Sequence, residues 1–211
     1  MNLLPDPTAL HLAAIPGVQR APFPALDLFT LRGFVDESLC TALIALIERD
    51  HRPSTVADAN GDAAFRTSST CELAPTEAPV RRLVERLAAV SGIDPAHAEP
   101  LQGQRYEEGQ EFKAHTDYFE PQGLDYARYC GQSGQRTWTF MVYLNSVPAG
   151  GATRFKAIGK TVQPEAGKLL AWNNRLPGGG CNAATMHHAL KVRKGRKYVI
   201  TQWYRERPWA G

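Results

Sequence analysis

The sequence predicts a mainly β fold (α+β): an antiparallel barrel or jelly roll supported by helices from the N-terminal third. Two observations lead to it. From about residue 99 onward, apolar residues recur in short strand-like runs separated by Gly- and Pro-bearing turns, with no helical stretch between them. Before that point, two segments carry apolar residues at helical spacing, and each such stripe needs a sheet to lie against. A length of 211 residues suits one domain with a sizeable core.

Taken in chain order, residues 1–24 hold five prolines and predict an extended arm ahead of a single domain over 25–211. Residues 25–31 (ALDLFTL) alternate as a strand. Asp36 then has the character of a helix N-cap, and Leu39, Leu43, Ile44 and Ile47 form one apolar face of a helix ending near Arg49. Residues 51–70 are polar and rich in small residues and predict a loop. A second helix is expected over 77–90, with Thr76 as cap candidate and Pro79 tolerable in the first turn. Val80, Leu83, Val84 and Leu87 share its apolar stripe, and Gly92 ends it. Strands follow near 101–106, 111–117, 138–145, 153–155, 161–163, 168–172, 186–190 and 197–204. Turn signals lie at Glu108-Gly109, Ala149-Gly150-Gly151, 164–167 and Lys194-Gly195. The connection 119–135 is long for a tight β-turn and reads as a candidate lid.

Composition excludes several classes. The net charge of +3 is too mild to argue for nucleic acid, and the basic residues of 191–205 are spread along strands. Residues 1–18 lack a basic start and are broken by prolines, so no signal peptide is expected. No run approaches about 18 apolar residues, so no membrane span or membrane partner is expected. The cysteines at 40, 71, 130 and 181 form no C-x-x-C pair, which argues against a zinc knuckle and for reduced thiols in a cytoplasmic protein. A Cys71–Cys130 disulfide is the pairing left open.

The chemistry-bearing pattern is His115-x-Asp117. In a strand, residues i and i+2 face the same side, so the imidazole and the carboxylate project together into the barrel mouth. A third ligand must come from a distant strand. His187 and His188 both stand in an expected strand with side chains on opposite faces, and only one can enter the same cavity. Two histidines and one carboxylate hold one face of a ferrous ion and leave the other open. Taken alone, H-x-D is a weak signal; His11, His51 and His97, which lack such company, read as surface or hydrogen-bonded core residues.

At these residues the chain resembles the prolyl 4-hydroxylase branch of the 2-oxoglutarate/Fe(II)-dependent dioxygenases. The resemblance covers residues 101–205, half the chain. It begins with Arg105-Tyr106-Glu107-Glu108-Gly109-Gln110 before His115-x-Asp117. It continues through Arg136-x-x-Thr139, Tyr143-Leu144-Asn145 and Gly150-Gly151-x-Thr153-x-Phe155. Its distal part is the most specific: His187, Val192, Gly195, Lys197 and Trp203 stand at offsets 0, 5, 8, 10 and 16, with Arg205 two residues later. Starting from His188 breaks every offset, so the resemblance selects His187. The chain departs from the family's pattern at His188-Ala189-Leu190-Lys191, at Ala152 and at Phe112. Those differences touch strand shape and the substrate channel more than the metal.

The resemblance implies a double-stranded β-helix that binds Fe(II) through His115, Asp117 and His187. It implies 2-oxoglutarate as cosubstrate, its distal carboxylate met by Lys197, with hydroxyl donors from Tyr106 and Thr139 and with Trp203 packed alongside. O2 is the oxidant and ascorbate a candidate reductant. The implied reaction oxidises an unactivated carbon while 2-oxoglutarate is decarboxylated to succinate. The expected substrate is a proline residue in a peptide or protein, approached past Arg66, Ser68 and Arg205. A lysine at 197 separates the chain from nucleic-acid demethylating relatives, which use arginine there. The rival readings are the same chemistry on a free amino acid, another side chain or a small metabolite, and a cupin-like metal-binding protein without oxygenase activity. No oligomeric state is implied.

Overall fold

Strand Lys197–Arg205 is buried along all nine of its residues, because both faces of the sheet it centres are covered. The computed structural model describes residues 5–54, 64–123 and 126–210. In it, the larger sheet runs in the order Gln19–Arg20, Leu28–Leu31, Leu169–Asn173, Arg136–Tyr143, Lys197–Arg205, Gln102–Tyr106, Ser69–Glu72, Arg52–Pro53. A smaller sheet runs Lys160–Val162, Thr153–Phe155, His187–Ala189, Phe112–His115, and a short ladder joins Val192–Lys194 to Ala149–Gly150. Every pairing is antiparallel.

Alternation along the central strands sorts side chains between two cores. Phe140, Val142, Ile200 and Tyr204 face the helices. There they pack with Leu39, Leu43 and Ile47 of helix Glu37–Arg49 and with Val80, Leu83 and Leu87 of helix Ala78–Ser91. Each such apolar side chain stabilises the fold by about 1.5–3 kcal/mol. The alternate residues Met141, Tyr143 and Val199 turn inward and meet Phe155, Val162 and Ala189 of the smaller sheet. Two sheets closed face to face over a shared interior, with helices backing the larger one, make the jelly roll that the sequence predicts and the double-stranded β-helix that the resemblance implies. No helix among the described residues is long and apolar enough to cross a membrane.

Both expected helices form. The first is capped as predicted, with the Asp36 carboxylate accepting from the Leu39 amide at 2.8 Å. The second begins one residue later than its expected cap, after Glu77, whose side chain makes no capping hydrogen bond. The expected strands also form, most of them shifted or trimmed by one to three residues.

Three expectations are corrected. The arm is not wholly extended: Pro7–Ala14 is a helix, capped by Asp6 through the Thr8 and Ala9 amides, and it buries Leu12 completely. Proline in the first turn is compatible with a helix because its missing N–H would be unpaired there anyway. The loop expected over 51–70 contributes the strands Arg52–Pro53 and Ser69–Glu72 at the edge of the larger sheet, while its residues 55–63 lie outside the described residues, as do residues 1–4 of the arm. The strand carrying His115 ends there, so Asp117 stands in the bend that follows. In the long connection, Tyr126–Cys130 is a short helix.

Candidate active site

His115 ends one strand of the smaller sheet, and His187 begins the strand beside it. The antiparallel register places the two residues directly opposite each other. With Asp117 two residues on, each of the three offers a ligand atom within 4.8 Å of the others, the one such cluster among the described residues. His115 Nε2 lies 3.8 Å from Asp117 Oδ1.

Backbone carbonyls set the tautomers. His115 Nδ1 is 2.7 Å from the Lys113 carbonyl and His187 Nδ1 is 2.9 Å from the Thr185 carbonyl. A carbonyl only accepts, so each ring carries its proton on Nδ1 and leaves the Nε2 lone pair free, as a metal ligand must. Packing holds the rings: Phe112 stacks on His115 at 3.5 Å, and Trp172 lies edge-on to His187 at 4.8 Å. Burial, then the neighbouring His187, pushes the His115 pKa down to about 3, so its ring is neutral at ordinary pH. His188 points away and pairs with Glu111 at 2.8 Å.

Burial alone would raise the Asp117 carboxyl. The imidazoles of His187 and His115, then Arg136 and the Thr139 hydroxyl, more than offset it and hold Asp117 below the usual carboxylate range. Thr139 donates to Asp117 Oδ2 at 2.7 Å and accepts from Asn174 Nδ2 at 2.8 Å.

The triad opens into a recess also lined by Gln104, Tyr106, Trp172, Lys197, Thr201 and Trp203. Lys197 is 1% exposed and has no hydrogen-bond or ion-pair partner among the described residues. Its Nζ lies 5.0 Å from the Tyr106 ring centre and 5.5 Å from that of Tyr143. Burial pushes its pKa down to about 7. Gly151, with φ +69°, packs against its stem: a Cβ there would sit 3.4 Å from Lys197 Cδ. The indole N–H groups of Trp172 and Trp203 are also buried without acceptors among the described residues.

An ammonium and two indole donors without partners suit a ligand rich in oxygen acceptors, which is what a keto acid with a second carboxylate supplies. Two neutral imidazoles and a carboxylate suit a ferrous ion. The residues present therefore fit both groups. Of the hydroxyls expected to assist Lys197, that of Tyr106 donates to Gln104 Oε1 at 2.8 Å and that of Thr139 to Asp117.

Outside the triad lies a cavity of about 520 Å³ whose walls include Phe65, Phe112, Phe119, Tyr129, Trp203 and Trp209. Arg66 lines it, stacked over Phe112 at 4.7 Å, and is held by the buried Ser68 hydroxyl at 3.1 Å and by Gln102 at 3.0 Å. Arg205 also lines it but is tied down, bonding to Glu99 at 2.9 Å and to the Tyr129 carbonyl. Glu99 accepts a second, bidentate pair from Arg136 at 2.6 and 2.7 Å, and the Arg136 guanidinium lies over Trp203 at 3.9 Å. Burial would lower the Arg136 pKa, but Glu99 reverses this and raises it.

Sequence reasoning missed Trp172, Asn174 and Glu99. Trp172 was accessible in principle, since alternation along Leu169–Asn173 puts it on the same face as Leu170, inside the barrel. Glu99 lies 106 residues from Arg205, and no local pattern joins them.

A model of the 2OG-Fe(II) oxygenase superfamily matches residues 101–205. Prolyl 4-hydroxylase subunit alpha-1 of Gallus gallus is 34% identical over 146 residues, which are 69% of this chain; the chain spans 28% of that protein. The probable prolyl 4-hydroxylase 9 of Arabidopsis thaliana is 31% identical over 196 residues, covering 82% of this chain and 66% of the relative. In fold, the chain is similar to the viral collagen prolyl hydroxylase of Paramecium Bursaria Chlorella virus-1 in its 2OG complex. The TM-score is 0.65 at 24% identity, over 84% of this chain and 95% of the other. Motif order, metal-ligand geometry and these likenesses converge: the chain belongs to the 2OG-Fe(II) oxygenase superfamily, in its prolyl 4-hydroxylase branch.

Proposed function

We propose that this protein is a 2-oxoglutarate- and Fe(II)-dependent dioxygenase that hydroxylates a proline residue in a peptide or protein. The observation that carries the reading is the meeting of His115, Asp117 and His187 around one point, beside a buried and unpartnered Lys197. His115 and His187 would hold the metal through Nε2, and Asp117 through Oδ1. Lys197 would meet the distal carboxylate of 2-oxoglutarate, with Trp203 beside it. When bound, the metal with its cosubstrate and O2 supplies the oxidising power: 2-oxoglutarate, O2 and a C–H group give succinate, CO2 and a C–OH group.

The protein's share is orientation and exclusion of water. Phe112 and Trp172 fix the imidazoles, and the aromatic wall from Phe119 to Trp203 shields the recess. The outer cavity would take the substrate, with Arg66 on its wall supported by Ser68, and Arg205 holding the far wall through Glu99. A volume of about 520 Å³ favours a peptide segment over a free amino acid. Aromatic walls suit a proline-bearing strand, which is stiff and apolar. All four cysteines are free thiols, which supports the cytoplasm as the compartment.

Incubation with Fe(II), ascorbate, 2-oxoglutarate, O2 and a panel of proline peptides tests this. The expected result is succinate formed in step with one added oxygen atom, which tandem mass spectrometry places on proline. Succinate with the oxygen on another residue or molecule would move the substrate assignment; no succinate under any condition would overturn the enzymatic one.

A further inference from the structure

We propose that Trp209 is a substrate-recognition residue: it forms the outer end of the cavity wall and takes an apolar ring carried by a residue beside the target proline. This rests on the peptide reading of that cavity and adds a feature of the peptide. Aromatic rings and guanidinium groups alternate along one wall. The Arg136 guanidinium lies 3.9 Å from the Trp203 ring centre and 4.8 Å from that of Phe119. The Arg205 guanidinium lies 5.3 Å from the Phe119 ring centre and 5.4 Å from that of Trp209. The series therefore runs Trp203, Arg136, Phe119, Arg205, Trp209. Trp203 belongs both to the recess beside Lys197 and to the outer cavity, whereas Trp209 lines the outer cavity and is partly exposed. The wall leads from the recess outward to Trp209.

The segment that carries Trp209 is tied down on both sides. Pro208 fixes its own φ and restricts Arg207 before it to extended backbone. The Glu206 and Arg207 amides donate to the Gln135 and Ser133 carbonyls, each at 3.0 Å, and the Ala210 amide donates to the Ser133 hydroxyl at 3.0 Å. The Arg207 guanidinium donates to the Gln132, Cys130 and Gly131 carbonyls at 2.8, 3.2 and 3.1 Å. On the other side, the Trp209 amide donates to the Ala96 carbonyl at 2.7 Å. Phe119 is held as well: the buried Gln135 side chain accepts from its amide at 2.9 Å and donates to its carbonyl at 2.7 Å. Rings fixed in this way have little freedom left to lose when a ligand binds.

Charge does not choose the ligand at this wall. Arg66, Arg136 and Arg205 share the cavity with Glu72, Glu99 and Glu120, and Glu99 bonds to both Arg136 and Arg205. What the outer end offers is ring surface, and tryptophan is among the side chains that most often anchor a protein contact. A ring packed on Trp209 is worth about 2- to 12-fold in affinity before the area it buries is counted.

Calorimetry on the full chain loaded with Mn(II) and 2-oxoglutarate tests this with pairs of proline peptides. Within each pair, the residue before the proline or the one after it is either phenylalanine or glycine. The wild-type protein is expected to bind at least one phenylalanine peptide about tenfold more tightly than its glycine counterpart. Trp209→Ala is expected to bind both alike, at the level of the glycine peptide, with 2-oxoglutarate affinity unchanged. Trp209→Phe keeps most of the preference, which a role in folding alone would not require. Trp209→Gln, which keeps bulk without a ring, carries the test should the alanine variant fail to fold. No preference in the wild type, a preference that survives loss of the ring, or an equal fall in 2-oxoglutarate affinity overturns the proposal alone. Binding of Mn(II) and 2-oxoglutarate with no affinity for any proline peptide overturns the peptide reading beneath it.

Discussion

His187→Ala is expected to reduce turnover to background, whereas His188→Ala leaves it near the wild-type rate. The two residues are neighbours of identical chemistry, so composition and net charge change equally in the two variants. Only their direction differs. His187 is 6% exposed, sits opposite His115 and has its Nδ1 committed to the Thr185 carbonyl, which leaves Nε2 for the metal. His188 faces out and meets Glu111 in a partly exposed side-chain contact worth about 1 kcal/mol or less. Removing one of three protein ligands costs several kcal/mol, or about a thousandfold or more in metal affinity. Succinate formation and Mn(II) affinity measured on both variants check this. Equal loss in the two would mean that the strand register is wrong and that neither residue is singled out by the fold.

Lys197→Ala is expected to raise the 2-oxoglutarate concentration for half-maximal turnover by about 100-fold or more, with the metal requirement nearly unchanged. Truncating one partner of a buried charge pair costs about 2–5 kcal/mol, which corresponds to roughly 30- to several-thousand-fold in affinity. Lys197 is a strong case because nothing else among the described residues compensates it: burial has pushed its pKa down to about 7, and its neighbours include the faces of two tyrosine rings.

That pKa also fixes a pH dependence. Without ligand the amine is charged below about pH 7 and neutral above it. A bound carboxylate favours the charged form and raises the pKa, so binding above pH 7 must take up a proton. Affinity for 2-oxoglutarate is then full below about pH 7 and falls as pH rises, by up to about tenfold per unit, until the pKa of the complex is reached. Calorimetry at pH 6 and pH 8.5, in buffers of different ionisation heat, reads both the affinity and the proton uptake. An affinity unchanged across that range, or an unchanged cosubstrate dependence in Lys197→Ala, would remove the lysine from the site.

The parts of this molecule that follow from local periodicity or fixed spacing were legible in the sequence. Asp36 announced the helix over Glu37–Arg49 because capping is a one-residue signal followed by a periodic stripe. The inward and outward faces of Lys197–Arg205 follow from alternation, although burial of all nine residues depends on the helices behind the sheet. Selecting between His187 and His188 needed the offsets to Lys197 and Trp203, since a strand by itself only says that they diverge.

What was not legible depends on neighbours far away in the chain. Five prolines outweighed the Asp6 cap and the Pro7 start of a helix that buries Leu12. The two-residue edge strands Gln19–Arg20 and Arg52–Pro53 are too short to show any period. The place of the Thr139 hydroxyl between Asp117 and Asn174 joins residues 22 and 35 positions away, which no local pattern links. That Arg205, on the cavity wall, is also tied to Glu99 and to the Tyr129 carbonyl depends on residues far from it in the chain.

The central claim is that three side chains, two from neighbouring strands and one from the bend that follows the first, share one metal ion beside a lysine that waits for a carboxylate. Crystals grown without oxygen in Mn(II) and 2-oxoglutarate test it directly. The account predicts one metal bonded to His115 Nε2, His187 Nε2 and a single oxygen of Asp117, with the far carboxylate of the keto acid against Lys197 Nζ. A metal bound elsewhere, or one reached by His188 in place of His187, would contradict it.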